Sequence, residues 1–207
     1  MIEAEDTFLT IASEAEGMYK DKGSKFLAFA YPVGCEKDVK EKVDALRKKY
    51  FDARHHCYAY RLGPEGKQYR ANDDGEPANS AGRPILGQLT AYGVTNVLVV
   101  VVRYFGGILL GVGGLVQAYK QAAADALSRA EVVSDFVTEV YRLSFDYPVM
   151  DQVLRVLKDM SLDFFDQDFN LSCFLKVRVR KSMVAGMLKR LELVESLKIE
   201  PEKDEIA

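Results

Sequence analysis

Asn96-Val97-Leu98-Val99-Val100-Val101-Val102-Arg103-Tyr104-Phe105-Gly106-Gly107, continuing as Ile108-Leu109-Leu110-Gly111-Val112-Gly113-Gly114-Leu115-Val116, is the stretch on which the fold turns. Between Leu86 and Tyr119 the only charged side chain is Arg103. Val97 to Val116 is long enough to be taken for a membrane span. An arginine in mid-run costs about 2.5–3.5 kcal/mol at a bilayer centre, however, and glycines follow at once. Asn96 to Val102 is therefore predicted to be a β-branched strand buried on both faces. Arg103 to Gly107 breaks it, and an Ala-rich helix runs from Leu115 to about Arg129.

Upstream of this centre, Ile85, Leu86 and Leu89 form an apolar helix face with Pro84 in its first turn. Gly63 to Ser80 is rich in turn residues. His56, Tyr58 and Tyr60 alternate with Cys57, Ala59 and Arg61 as in a strand. Glu36 to Tyr50 carries Val39, Val43, Ala45 and Leu46 at helical spacing, a narrow stripe suited to covering a sheet. Phe8 to Tyr19 and Lys25 to Val33 read as a hairpin about the polar turn Lys20 to Ser24.

Downstream the pattern resets near Glu131 to Asp135. Strand (Thr138 to Phe145), helix (Met150 to Met160), strand, strand (Ser172 to Arg180), helix (Met183 to Leu193) and strand then follow. This βαββαβ order is the ferredoxin-like signature. The fold class expected is thus a two-domain α/β protein, with domains over 1–133 and 134–207, and a frayed tail from Pro201.

The 28 Lys+Arg against 31 Asp+Glu give a net charge of −3, which excludes a wholly basic nucleic-acid glove and leaves room for a local basic patch. Three scattered cysteines, Cys35, Cys57 and Cys173, support neither a disulfide framework nor a zinc knuckle. With an acidic start, Met-Ile-Glu-Ala-Glu-Asp, a cytoplasmic protein without a membrane segment is expected.

Chemistry has four candidate seats, and a triad can be written across the first two. His55 and His56 are the two histidines of the chain, but neighbours on a strand face opposite ways and do not readily share a metal. Asp73, Asp74 and Glu76 surround Gly75 in a turn that either holds a cation or facing arginines, or simply caps the next helix. His56, Asp74 and Ser80 have the residue types of a hydrolase triad, without a Gly-x-Ser-x-Gly elbow. The glycines 106, 107, 111, 113 and 114 either cradle an anion at a helix start or let helix and sheet pack closely. They match no nucleotide fingerprint: no Gly-Lys-Ser/Thr follows, and Val116 stands where Gly111-Val112-Gly113 would need Gly or Ala. Last, alternation puts Phe174, Lys176, Arg178 and Arg180 on one face of a strand. On an open sheet face that row would meet RNA phosphates and bases, or it is a solvated surface.

Taken together, Ala53-Arg54-His55-His56-Cys57-Tyr58-Ala59-Tyr60, Asn72-Asp73-Asp74-Gly75-Glu76-Pro77, Ser80-Ala81-Gly82-Arg83-Pro84-Ile85, Val101-Val102-Arg103-Tyr104-Phe105-Gly106-Gly107 and Leu110 to Tyr119 closely resemble the IMPACT/YigZ family. The resemblance implies a first domain of the ribosomal protein S5 domain 2 type and a second similar to the last domain of translocating elongation factors. Eukaryotic relatives act in translational control by binding a large ribosome-associated activator of an amino-acid-starvation kinase. A non-catalytic role in translation or its regulation follows, through RNA or a ribosome-associated partner and without a cofactor or metal. A protein-interaction module without RNA, or a peptidase on His56, Asp74 and Ser80, are the alternatives. Arg54, His56, the turn Asp73, Asp74 and Glu76, Arg83 and Arg103 each lie beside an apolar element where a charge needs a partner, so they are expected to converge on one polar ligand cleft, which also takes in His55, Tyr104 and the five glycines. Leu109 departs from the family, which usually has lysine there, and with it goes the cation best placed for a phosphate.

Overall fold

The computed structural model describes residues 6–170 and 172–202, so the tail residues Lys203, Asp204 and Glu205 lie outside the described residues. The chain divides into two units. Phe8–Asp135 form one, and the chain from Phe136, together with Asp6 and Thr7, forms the other.

Strand β1 (Thr7–Ile11), all but its first residue in the first unit, is followed by β2 (Ala15–Asp21) and β3 (Ser24–Pro32). β2 and β3 form the expected hairpin, closed by Lys22 and Gly23, both at positive φ, as a two-residue turn matched to strand twist requires. The upstream run does not belong to that hairpin. Thr7–Ile11 pairs instead with β7 (Val132–Phe136) in a two-stranded sheet.

Helix α1 (Glu36–Lys49) begins where Asp38 Oδ2 accepts the backbone N–H groups of Gly34 and Cys35. Strands β4 (His55–Leu62) and β5 (Gln68–Asn72), helix α2 (Gly82–Ala91), strand β6 (Val97–Tyr104) and helix α3 (Gly111–Arg129) complete the unit. The main sheet has the order β2-β3-β6-β4-β5, and its paired strands are antiparallel throughout.

β6 lies at its centre, and all its residues but Tyr104 are buried. Its period of two sorts the core. Val97, Val99 and Val101 join Ile85 and Leu89 of α2 and the alanine face of α3. Leu98, Val100 and Val102 pack with Val39, Val43 and Leu46 of α1 on the other side. The glycine-rich segment is shorter than its composition suggests, because α3 starts at Gly111 rather than Leu115. Leu115, Ala118 and Tyr119 anchor the following turn in the core, and an anchored helix propagates backwards through weak helix formers.

The second unit runs β8 (Thr138–Phe145), a 3₁₀ turn, α4 (Met150–Asp159), β9 (Phe164–Phe169), β10 (Cys173–Arg180), α5 (Lys181–Leu191) and β11 (Lys198–Glu202), with strand order β11-β8-β10-β9. Leu175, Val177 and Val179 face a core that contains Val153 and Leu157 of α4 and Met187 and Leu191 of α5. Pro201 and Glu202, expected to fray, are the last residues of β11.

Candidate functional site

Alternation along β4 sends His55 and Cys57 to the α2/α3 face and His56 to the α1 face, because their cross-strand neighbours are Arg103, Val101 and Val102 respectively. On the α2/α3 face a buried polar cluster closes around Glu76. Its Oε1 accepts hydrogen bonds from Arg103 Nη1 at 2.6 Å and from the Tyr119 hydroxyl at 2.8 Å. His55 Nε2 stands 4.0 Å from the same oxygen. Cys57 Sγ donates to the Asp73 carbonyl at 3.0 Å and lies 3.3 Å from the Tyr119 hydroxyl. Burial pushes both the Cys57 thiol and the Tyr119 phenol far up in pKa, so both stay protonated. The Phe26 ring meets Tyr119 edge-on at 5.1 Å, and the Arg103 guanidinium lies over Phe26 and Phe105.

The acidic turn is consumed by structure. Asp73 accepts the backbone N–H groups of Asn79, Ala81 and Gly82 and so caps α2 from nine residues upstream. Asp74, at φ 41°, accepts the His56 N–H at 2.7 Å and pairs with Arg47 at 2.9 Å. Its carbonyl lies 2.8 Å from His55 Nδ1, and since a carbonyl only accepts, Nδ1 carries the proton.

His56 is buried, with Nε2 unpartnered among the described residues, and desolvation pulls its pKa below the ordinary value against the Asp74 carboxylate. Ser80 is fully buried and donates to the Pro77 carbonyl at 2.6 Å. It adjoins Ala81, which belongs to the α2/α3 core, whereas His56 faces α1. Asp74 Oδ2 lies 4.0 Å from His56 Nδ1, but the Ser80 hydroxyl is spent on the Pro77 carbonyl and His56 Nε2 has no partner among the described residues, so no nucleophile–base hydrogen bond joins the three triad candidates.

Of the cleft residues read from sequence, His55, Glu76 and Arg103 meet directly, while Asp73 and Asp74 brace them. Arg54 is exposed ahead of β4, and Arg83 is exposed on α2, lining a separate groove with Arg61 and Tyr69. Tyr104 points to the α1 side, where its hydroxyl donates to Asp52 at 2.8 Å; burial pushes its pKa up to about 12. Gly106 makes a close approach: a Cβ there would stand 1.9 Å from the Gly23 carbonyl carbon. Gly107 and Gly111 occupy left-handed backbone, while Gly113 and Gly114 sit in the first turn of α3. Around these glycines Phe105, Ile108, Leu109 and Val112 are exposed. Among the described residues no group of three His, Cys, Asp or Glu is arranged to hold a metal ion.

Tyr119, Cys57 and Arg47 join the site without a sequence signal that marks them as its members. Tyr119 falls on the alanine face of α3 and looks like core; its only signal is that a buried hydroxyl needs a partner.

In the second unit the alternation of β10 holds, but the row is occupied. Arg142 stacks on the Phe174 ring at 3.8 Å. Lys176 is held by Asp166 and Glu202, each at 2.9 Å, and their hydrogen bonds raise its pKa. Arg178 lies over Phe165. Arg180 makes a two-point pair with Asp6 at 2.7 and 2.9 Å and covers Phe136.

The Impact N-terminal domain family matches residues 22–127, the segment that carries the whole buried cluster. IMPACT family member YigZ of Escherichia coli is 32% identical over 188 residues, covering 90% of this chain and 92% of the relative. The chain belongs to the IMPACT family. Protein IMPACT of Homo sapiens is 45% identical over 96 residues, which are 44% of this chain and 29% of that protein. Among solved structures, the crystal structure of a hypothetical protein, 31% identical, has a TM-score of 0.77 and covers 97% of this chain and 99% of its own. No helix among the described residues of this IMPACT family member is long and apolar enough to cross a membrane.

Proposed function

We propose that this IMPACT family member is a non-catalytic cytoplasmic protein that acts in translation or its regulation by engaging a ribosome-associated protein. The observation that carries the reading is the cluster around Glu76. Glu76 Oε1 is taken up by Arg103 Nη1 and the Tyr119 hydroxyl, while the Ser80 hydroxyl is taken up by the Pro77 carbonyl and His56 faces α1, so the residues read as an enzyme's are used to hold the fold. Binding is instead supported by the exposed Phe105, Ile108, Leu109 and Val112.

We read the first unit as the ribosomal protein S5 domain 2 type. The second we read as ferredoxin-like, related to the last domain of elongation factors; its strand order and its helix-covered face support this. RNA is the second reading, on Phe174, Lys176, Arg178 and Arg180. Phosphates would have to displace Asp166, Glu202 and Asp6 from that row, which favours a protein partner.

The test is co-sedimentation of the full chain with ribosomes from lysate, followed by a salt wash. Retention in the ribosomal pellet is expected. Recovery in the supernatant at low salt would overturn the reading, and retention lost in a Lys176→Glu/Arg178→Glu variant would shift the partner to RNA.

A further inference from the structure

β5 is an edge strand of the main sheet, and four of its five residues are exposed. The opposite edge, β2, is partly shielded, since the Met18 N–H donates to Asp125 Oδ2 at 2.8 Å. Beside β5 lies a groove of about 610 Å³ against α2, lined by Arg61, Tyr69, Arg83, Leu86, Gly87 and Thr90 along with Gly66. Its lining contains two guanidinium groups and no carboxylate.

Arg61 is built into position. Its Nη1 donates to the Val94 carbonyl at 2.9 Å, and Gly66 lies so close that a Cβ there would stand 2.4 Å from Nη2. Gly87 points the same way. Glycine weakens a helix interior relative to alanine, yet a Cβ at Gly87 would meet nothing within 4 Å and the backbone there is not left-handed. No packing or backbone need explains this glycine; its effect is to leave the groove open.

We propose that the β5 edge and this groove receive an acidic, extended segment of the protein partner, added as a further strand; this rests on the ribosome-associated partner reading above. An exposed strand edge supplies main-chain hydrogen bonds, and the pockets beside it select alternate side chains. Tyr69 and Ala71 pair with Arg61 and Ala59, so they share the groove face; the segment's acidic residues face Arg61 and Arg83 over the ring of Tyr69. Its intervening residues are uncharged, because the other face carries charges of both signs: Arg70 of β5, and Glu36, which is hydrogen-bonded to Tyr60 and Gln68.

The test is a fluorescence-anisotropy titration of the full chain with a labelled peptide of about eight alternating glutamate and valine residues, a typical strand length or slightly more. Saturable binding is expected. It should weaken about tenfold in Arg83→Glu, through charge reversal at the contact. Gly87→Leu should weaken it likewise by filling the groove. A peptide N-methylated at alternate amides, tried in both registers, should bind in neither or only one, and this arm needs no altered protein.

No binding by the unmodified peptide, equal binding by both methylated registers, or indifference to both variants overturns the proposal. Displacement of the peptide by single-stranded RNA whose own binding is lost in Arg83→Glu overturns it in favour of a nucleic-acid groove. The same preparation is sedimented with ribosomes. Pelleting without peptide binding overturns the groove alone, whereas failure of the wild type to pellet overturns the partner reading on which it rests.

Discussion

Removing the Glu76 carboxylate tests whether the buried cluster is held by charge or merely filled by it. The Glu76 and Arg103 side chains are 3% and 8% exposed and meet at 2.6 Å. Glu76→Ala strands the guanidinium, whose Nε already lacks a hydrogen-bond partner among the described residues. Breaking a buried pair from one side costs about 3–5 kcal/mol. Loss of the Tyr119 hydroxyl's acceptor adds about 1 kcal/mol. Against a typical domain stability of about 5–15 kcal/mol, that leaves the first unit marginal.

Glu76→Gln keeps an acceptor for both donors and loses only the charge, so a loss of about 2 kcal/mol is expected. Glu76→Gln with Arg103→Met removes both charges and should return to within about 1 kcal/mol of the wild type. The assay is urea unfolding followed by far-UV circular dichroism and tyrosine fluorescence, which is usable because the chain has 11 tyrosines and no tryptophan. The data are fitted with separate transitions for the two units. A Glu76→Ala loss below about 1 kcal/mol, or a double variant equal to the sum of its single variants, would refute the reasoning.

Three other outcomes follow from local geometry. Gly87→Ala should stabilise the first unit by about 0.5–1 kcal/mol in the same urea assay, since the added methyl meets open space within a helix. Gly106→Ala should cost about 3 kcal/mol, because its Cβ would run into backbone of Gly23 and Ser24; thermal unfolding reads this as a lower midpoint. The hydrogen bonds from Arg180, and then Ser182, hold the Asp6 carboxyl well below its ordinary value near 3.8. A carboxylate with a lowered folded pKa takes up its proton more readily when unfolded, so its contribution is full above about pH 5 and fades as the pH falls below 4. Acid titration should show the second unit losing stability over that range, and Asp6→Asn should remove that part of the dependence.

Much of the framework was written in local pattern. A run of β-branched residues with Arg103 as its one charge can only be a strand covered on both sides, and β6 is that strand. A period of two separated His55 from His56 and put Phe174 on the side of Lys176, because neighbouring side chains on a strand point to opposite faces whatever the sheet around them. The tertiary structure decided which groups meet. Glu76 is shared by Arg103, from a strand 27 residues away, and by Tyr119, from a helix 43 residues away. Arg83, near in sequence to the acidic turn, belongs to a different groove, because α2 starts at Gly82 and carries it off along its own axis. The basic row of β10 is legible as a row, but its compensation by Asp166, Glu202 and Asp6 comes from β9, β11 and the start of the chain. Periodicity is a property of neighbouring residues and survives in one dimension. Charge pairing depends on distance through space, and only the folded chain sets that distance.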